Sequence, residues 1–391
     1  MKRIFATLLV FSLFLTACGS TTNTSAPCVD PLGCVVVGND EPIIIAVALT
    51  LSGPNAPYGV DALRGVELAI ADQGQVLNHP IQLVQEDDLC TAEGGQAAAE
   101  RLAQNPEVLG VIGATCSAAT EKAAKVLSDA GMILISPSST AAGLTSEEGH
   151  QQGFLRTIYN DQLQAQMVAE FAFVALGART MATIHDGSSY SKGLQEEACT
   201  LFVQRGGKCV AQLKIVSGSD TTPVVTQISR AQPDVLYIPL YTNDALSITA
   251  DMFTVGMINT AIIGSDGLLN SDFANKAKNA DGMYISGPAT ADPDAEFVRK
   301  YQERYGEKPI AVFATQAYDA AMLLFRAIEV SAKTTGRDIL FPRTTMRASL
   351  YATKDYKGLS GLLTCSPLGD CAPSNIVIYQ LDVRNFRVIY P

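Results

Sequence analysis

The sequence predicts an α/β protein built from two doubly wound parallel sheets, each forming one lobe. Buried strands and amphipathic helices alternate from residue 43 onward, and this rhythm requires a parallel sheet with helices on both faces. The same pattern starts afresh after residue 157, which indicates a second, similar lobe. A chain of 391 residues is also long for a single hydrophobic core and fits two.

Near-continuous apolar runs mark the strands, and a period of 3.6 residues marks the helices. In the first lobe the predicted strands cover 43–49, 81–84, 108–112 and 132–135, with helices at 60–70, 92–104 and 118–129. In the second lobe the strands cover 180–185, 210–216, 235–238, 261–263 and 283–286, with helices at 161–176, 194–204, 224–231 and 245–255. Periodicity assigns two later helices, 294–305 and 310–330, to neither lobe.

Polar loops follow two neighbouring strands of the first lobe, at the edge of the sheet where open α/β proteins hold their ligands. Ser117 is predicted to be the N-cap of the helix after strand 108–112, and residues 136–140 follow the next strand. Backbone N–H groups and the helix dipole at such a point favour a small anion such as a carboxylate. The alternative is that Ser117 only caps a helix and the second loop is only a turn.

Composition excludes several classes of function. A net charge of −11 argues against nucleic acid, and the absence of a basic run argues against docking on an anionic membrane surface. Phosphate-loop, zinc-protease and nucleophile-elbow motifs are missing. Ser189 to Lys192 matches SxxK, but its companion motifs KTG and SDN do not occur. We therefore expect no enzymatic activity, no cofactor and no metal.

The first 17 residues are predicted to be an export signal. Lys2 and Arg3 precede an apolar run at 4–15 that is too short to span a bilayer. The sequence Leu15-Thr16-Ala17-Cys18 looks like a lipobox, so Cys18 is the expected lipid attachment point and 18–42 the expected flexible tether. The alternative is an ordinary secretory signal with a chance cysteine.

Cysteine usage supports export. Of nine cysteines, eight remain after Cys18, an even number that suits an oxidising compartment. Three pairs are close in sequence: Cys28 with Cys34, Cys199 with Cys209, and Cys365 with Cys371. Cys90 and Cys116 remain, each just beyond a predicted strand, and we expect them to pair. A few reduced, buried thiols are the alternative.

Several short motifs together resemble one family. They are Leu51-Ser52-Gly53-Pro54 with Tyr58-Gly59, Asp87-Asp88-Leu89-Cys90, Thr115-Cys116-Ser117, Ser136-Pro137, Leu155-Arg156-Thr157, His185-Asp186 with Tyr190, and Gly358-Leu359-Ser360-Gly361. In this order and spacing, the chain is similar to the branched-chain amino-acid-binding (Leu/Ile/Val-binding) proteins, the substrate-binding lipoproteins of ABC transporters. The similarity runs from about residue 43 to about residue 364.

The resemblance implies a type I periplasmic-binding fold, a monomer whose two lobes are joined by a three-segment hinge. Lobe one would comprise 43–157 plus 289–357, and lobe two 158–288 plus 358–391. The hinge crossings would lie near 156–160, near Gly287-Pro288 and near 358–361.

The resemblance also assigns site residues. Ser117, Thr140 and the backbone of Ser138 match the family's carboxylate-binding groups. Asp161 matches a carboxylate placed against the ligand ammonium, and Asp266 matches a second acidic position that is often Glu in the family. Tyr190, Tyr241 and Tyr58 match its aromatic walls. Structural alternatives are a helix cap for Asp161, a turn for Asp266 and lobe packing for the tyrosines.

The implied function is that of an extracytoplasmic lipoprotein that captures an amino acid, branched-chain or otherwise apolar, and delivers it to an ABC permease. A zwitterionic solute would bridge donors on lobe one and carboxylates on the hinge and lobe two. Two alternatives remain open: a ligand-sensing co-receptor lipoprotein, and a binding protein for an amide, urea or an aromatic acid.

Overall fold

The computed structural model describes residues 28–289 and 295–391. In these ranges the strands are β1 (Cys34–Val37), β2 (Ile43–Leu49), β3 (Gln75–Val76), β4 (His79–Asp87), β5 (Val108–Gly113), β6 (Leu134–Ser136), β7 (Phe154–Arg156), β8 (Thr180–His185), β9 (Lys208–Lys214), β10 (Val235–Ile238), β11 (Ala261–Gly264), β12 (Tyr284–Pro288), β13 (Lys333–Thr335), β14 (Asp338–Pro342), β15 (Tyr356–Gly358), β16 (Gly361–Leu363), β17 (Ile376–Asp382) and β18 (Asn385–Tyr390). The α-helices are α1 (Ala56–Gln73), α2 (Ala92–Ala103), α3 (Ser117–Asp129), α4 (Asp161–Glu170), α5 (Ser189–Gln204), α6 (Thr222–Ala231), α7 (Thr242–Thr254), α8 (Ser271–Lys276), α9 (Ala295–Tyr305), α10 (Ala314–Ser331) and α11 (Arg343–Tyr351). None of these helices is both long enough and apolar enough to cross a membrane.

The first sheet has six strands in the order β3-β4-β2-β5-β6-β7. Parallel pairing joins β4, β2, β5, β6 and β7, and only the short β3 runs antiparallel to its neighbour. Helices α1 and α10 cover one face, and α2 and α3 cover the other. Strand β2 is therefore apolar throughout, because both of its faces are buried. We call this sheet and its helices lobe one.

The second sheet has seven strands in the order β18-β17-β12-β11-β10-β8-β9. Neighbouring strands among β9, β8, β10, β11 and β12 pair in parallel. The C-terminal strands β17 and β18 are added antiparallel beyond β12. Helices α4 and α5 cover one face, and α6, α7 and α8 cover the other. We call this second doubly wound layer lobe two.

The chain passes between the lobes three times, and the third passage lies later than the sequence predicts. It crosses between β7 and α4, and it returns after β12, since α9 packs against α1. The motif at 358–361 is not a crossing but the turn of the β15–β16 hairpin, held on α10 by Asp319, which accepts from Leu359 N at 2.8 Å and Ser360 N at 2.7 Å. The chain stays on lobe one through Cys371 and joins the second sheet at Ile376.

The predicted tether at 18–42 is structured in its described part. Strand β1 pairs antiparallel with β14 in a three-stranded sheet, β1-β14-β13. Val35 and Val37 are buried in the lobe one core, so the run of three valines is a strand signal that outweighs the polar residues around it. The predicted signal at 1–17 and the predicted lipidation site Cys18 lie outside the described residues.

The four predicted disulfides are confirmed: Cys28–Cys34, Cys90–Cys116, Cys199–Cys209 and Cys365–Cys371. The Cys90–Cys116 bridge ties the segment after β4 to the residue that precedes α3. It therefore fixes the loop that carries Ser117.

Candidate functional site

The carboxyl ends of the two sheets face each other across a narrow cleft. Its lining residues from lobe one are Tyr58, Thr115, Cys116, Ser117, Ser138 and Phe313, and those from lobe two are Tyr190, Tyr241, Asp266 and Gly267. The volume of the cleft is about 20 Å³, which is room for about one water molecule, so the two walls are nearly in contact in this structure. Six of the eight candidate residues line it, and Thr140 and Asp161 lie beside it.

Ser117 is not the N-cap of α3, contrary to the prediction. The N-cap is Cys116, with an extended backbone and no side-chain cap, and Ser117 is the first helical residue. Its hydroxyl oxygen instead accepts a hydrogen bond from Ala141 N at 3.1 Å, across to the second loop. Intrahelical bonding begins at the N–H of Thr120, so the preceding N–H groups of α3 are left as donors at the cleft. The helix end thus supplies backbone donors for an anion.

The second loop is tied to the first by serine hydroxyls. Ser136 donates to Ala114 O at 2.8 Å, and Ser138 donates to Thr115 O at 2.7 Å. The N–H of Ser138 itself donates to Ser136 Oγ at 3.3 Å. The hydroxyl of Thr140 is buried without a hydrogen-bond partner among the described residues. Among the predicted carboxylate donors, the hydroxyl of Thr140 is therefore the one that makes no hydrogen bond within the described chain.

Arg156 holds this second loop from behind and was not predicted to do so. Its guanidinium is fully buried and donates to Ser139 O at 3.1 Å, Ala141 O at 3.0 Å and Asp370 Oδ1 at 2.5 Å. A buried cation needs this many acceptors to offset its desolvation. Its place in the motif Leu155-Arg156-Thr157 was the only sequence feature that drew attention to Arg156. Its ion-pair partner Asp370 is distant in the chain, so the pairing could not be predicted from the sequence.

Asp266 lies on the opposite wall and is partly satisfied. Its Oδ1 accepts from the Tyr190 hydroxyl at 2.6 Å and from Gln164 Nε2 at 3.2 Å. Burial raises the pKa of this carboxyl above its usual value, and the hydrogen bonds from Tyr190 and Gln164 oppose that rise. Gln164, from α4, is a second supporting residue that sequence reasoning missed.

Asp161 is the least satisfied polar group of the site. Asn160, not Asp161, caps α4, since its side chain accepts from Gln162 N at 2.9 Å. Asp161 is 3% exposed, and neither of its carboxylate oxygens has a hydrogen-bond partner in the described chain. Burial, followed by the negative charge of Asp266, raises its pKa well above the usual range, and the neighbouring Thr140 hydroxyl and the charge of Arg156 oppose this rise. Such a carboxyl is suited to receive a cationic donor.

Aromatic rings form the rest of the cleft wall. Tyr190 stacks on Tyr241 with ring centroids 5.4 Å apart, and Tyr58 lies 5.8 Å from Tyr241 and 6.2 Å from Phe313. The hydroxyl of Tyr58 also donates to Gly267 O of lobe two. Phe313 was missed because helix 310–330 was predicted to include it, whereas it precedes α10 and turns into the cleft.

Comparison with known proteins identifies the family to which the chain belongs. The sequence profile of the periplasmic binding protein family matches residues 42–382. The chain belongs to this family. It is 28% identical to the Leu/Ile/Val-binding protein of Escherichia coli (strain K12) over 257 residues, which are 64% of this chain and 69% of that protein. It is 25% identical to Leu/Ile/Val-binding protein homolog 3 of Brucella melitensis over 349 residues, 87% of this chain and 91% of that one.

A solved structure extends the comparison to the fold. The branched-chain amino acid transporter substrate-binding protein of Streptococcus pneumoniae, in complex with isoleucine, aligns with a TM-score of 0.78 and 24% identity. The alignment covers 90% of this chain and all of that chain. The predicted family resemblance and the type I periplasmic-binding fold are both confirmed. As a member of this family, the chain is an extracytoplasmic solute-binding protein and not an enzyme.

Proposed function

We propose that the protein captures an α-amino acid with an apolar side chain in the cleft and delivers it to an ABC permease. The observation that carries this proposal is the opposite polarity of the two cleft walls. Free N–H groups at the start of α3 lie across the cleft from the buried carboxyl of Asp266, and the buried carboxyl of Asp161 lies beside the cleft. A solute with a carboxylate at one end and an ammonium at the other matches both walls at once.

The two ends of the solute would be held by different kinds of group. The carboxylate would accept from the N-terminus of α3 and from the hydroxyls of Ser117 and Thr140, where the helix dipole also favours negative charge. The ammonium would donate to Asp161 and Asp266, whose burial makes a charge-assisted hydrogen bond stronger than at the surface. Asp161 in particular lacks any other partner in the described chain.

The aromatic wall supports an apolar side chain on the solute. Tyr58, Tyr241 and Phe313 offer ring faces and edges, and only the hydroxyls of the tyrosines are polar there. Burying a few carbon atoms against rings stabilises binding by about 25 cal/mol per Å² of apolar surface. The relatives named as Leu/Ile/Val-binding proteins support the same class of solute.

Lobe boundaries, anchoring and assembly belong to the same proposal. We place lobe one at about 28–157 plus 295–371 and lobe two at about 158–288 plus 376–391, because β1 belongs to the lobe one core and Ile376 pairs in the second sheet. Cys18 would carry the lipid that holds a monomeric protein at the membrane, and closure of the lobes on the solute would form the surface that docks on the permease.

Calorimetry with matched solutes tests the proposal. We expect leucine, isoleucine or valine to bind, and 4-methylpentanoic acid and 3-methylbutylamine, which each lack one charged group of leucine, to bind at least a hundredfold more weakly. If the acid binds as tightly as leucine, the carboxyl wall does not hold an ammonium and an aromatic or aliphatic acid becomes the solute. Loss of leucine uptake on deletion tests the transport role, and retained uptake would instead favour a sensing co-receptor.

A further inference from the structure

A second and larger cavity lies beside the cleft, between α3 and the 141–151 loop of lobe one and the starts of α4 and α5 of lobe two. We call it the outer cavity, and its volume is about 690 Å³. The two spaces are adjacent, because Ser117 lines the cleft and Ala141 lines the outer cavity, and the hydrogen bond between them is 3.1 Å long. The outer cavity is large enough to hold a solute-sized group.

The outer cavity is lined by an excess of carboxyls. They are Glu121, Glu148, Asp161, Glu196 and Glu197, against Lys122 and Lys125. Lys125 is paired with Asp129 at 3.1 Å, and Glu196 is paired with Lys192 at 3.7 Å. In the described chain, Glu121, Glu148 and Glu197 have no lysine or arginine within ion-pairing distance. The lining therefore carries a net negative charge.

Asp161 is the buried carboxyl at the inner end of the outer cavity. Its side chain lines the outer cavity and not the cleft, it is 3% exposed, and both of its oxygens lack partners in the described chain. A buried, unpaired carboxyl costs free energy that a bound cation offsets. No group of three or more metal-ligating side chains lies close together among the described residues, so the chemistry favours an organic cation over a metal ion.

Charge accounting at the cleft leads to the same conclusion. Asp161 and Asp266 are both buried and repel each other when ionised, so they carry two negative charges only if positive charge is supplied nearby, and the nearby Arg156 is already paired with Asp370. A zwitterionic solute adds no net charge to this balance. A second positive group on the Asp161 side would neutralise one more carboxylate in a region of low dielectric.

We propose that the outer cavity is a binding subsite for an organic cation, an ammonium or a guanidinium, with Asp161 at its inner end and Glu148 and Glu197 on its walls. The proposal rests on the proposed function only for the adjacent solute. The cation has two sources: the basic side chain of a solute whose α-groups occupy the cleft, or a separate amine beside an apolar amino acid.

The test is calorimetry of the whole protein with three probes: n-butylamine, L-lysine and L-leucine. The variant Glu148→Gln/Glu197→Gln removes two wall charges outside the cleft. The matched control Glu107→Gln/Glu147→Gln removes two exposed charges that line neither space, one of them in the same loop. We expect n-butylamine to bind the wild type and the control equally and the wall variant about tenfold more weakly, with leucine affinity unchanged in all three.

Lysine separates the two sources. If lysine competes with leucine and also weakens about tenfold in the wall variant, the cation is the side chain of the solute. If n-butylamine and leucine bind together while lysine shows no such loss, the cation is a separate amine. Absence of n-butylamine binding, or equal binding to both double variants, overturns the proposal. Failure of leucine to bind counts against the proposed function alone, because the n-butylamine result is read independently.

Discussion

The two walls of the cleft satisfy their polar groups in different ways. On lobe one, the hydroxyls of Ser117, Ser136 and Ser138 are engaged with neighbouring backbone groups, and only backbone donors and Thr140 are left over. On the opposite wall, Asp266 has two donors and Asp161 has none in the described chain. The hydrogen bonds of the first wall are therefore already made within the protein, whereas in the proposed function those of the second wall are completed by the solute.

This difference predicts that the lobe one wall contributes mainly to the stability of the fold and the opposite wall mainly to the affinity for a solute. Polar groups that are satisfied internally stabilise the fold, so their removal lowers the free energy of unfolding. A buried carboxylate without a partner destabilises the free protein and strengthens binding of a cation. Substitutions on the lobe one wall should therefore lower mainly the free energy of unfolding, and substitutions on the opposite wall should lower mainly the affinity for the solute.

The largest effect is expected at Arg156, the support of the lobe one wall. Arg156→Met leaves the carbonyls of Ser139 and Ala141 without their donor and Asp370 without its ion pair. Removal of one partner from a buried pair costs about 3–5 kcal/mol, and we expect a loss of that size in the free energy of unfolding measured with urea.

Asp370→Asn is the control for this change. Asp370 is about one-third exposed, and its loss leaves Arg156 with its carbonyl acceptors, so the cost should be less than half as large. Equal losses in both variants would show that the ion pair, and not the hold on the loop, carries the stability.

The next largest effect is expected at Asp161, where the sign for stability reverses. Asp161→Asn keeps the shape of the side chain but removes its charge. We expect amino-acid affinity to fall by about 2–5 kcal/mol, because the bound ammonium loses a buried charged acceptor. In the absence of solute the variant should be more stable than the wild type, since an unpaired buried charge is removed.

Asp244→Asn is the matched control. Asp244 is also buried in lobe two, but it accepts from Ser217 Oγ at 2.7 Å and from Gly218 N at 2.9 Å. The same substitution there should lower stability and leave affinity unchanged. An Asp161→Asn protein that binds as tightly as the wild type would remove Asp161 from the site.

The pH dependence of stability sharpens the same contrast. The pKa of Asp161 is raised in the folded protein, whereas in the unfolded chain it is about 3.9. Between these two values the folded form holds the extra proton, so the stability contribution is present at low pH and is lost as pH rises through the folded pKa. The stability of Asp161→Asn minus that of the wild type should therefore grow from pH 4 to pH 8. A difference that does not vary with pH would mean that Asp161 is not desolvated.

Much of the fold could be predicted because it depends on local signals. Strand β2 was predicted with its observed bounds, and α2, α3 and β8 to within one or two residues, because buried parallel strands and amphipathic helices have distinct periods. The family resemblance placed a hinge crossing near Gly358–Gly361, where the structure has a hairpin turn, and a glycine-rich turn has the same composition in a hairpin as in a linker. Only contacts with Asp319, about 40 residues away, distinguish the two.

The site shows the same limit. Six candidate residues meet at the cleft, and they were found through motifs that are short and continuous in sequence. Arg156, Gln164 and Phe313 were missed because their roles depend on partners 102 to 214 residues away or on the exact start of a helix. Sequence patterns predict which loops form the site, but not how the hydrogen bonds between those loops are shared.

The smallest effect is expected at Ser117, and it tests whether the lobe one wall works through its backbone. Ser117→Ala removes the acceptor of Ala141 N but keeps the N–H groups of α3, so affinity should fall by about 0.5–1.5 kcal/mol at most. Ser138→Ala, which removes a donor to Thr115 O, should behave similarly. If titration shows that Ser117→Ala weakens binding as much as Asp161→Asn, the hydroxyl itself holds the carboxylate. The two walls would then both be completed by the solute, and the contrast between them would fail.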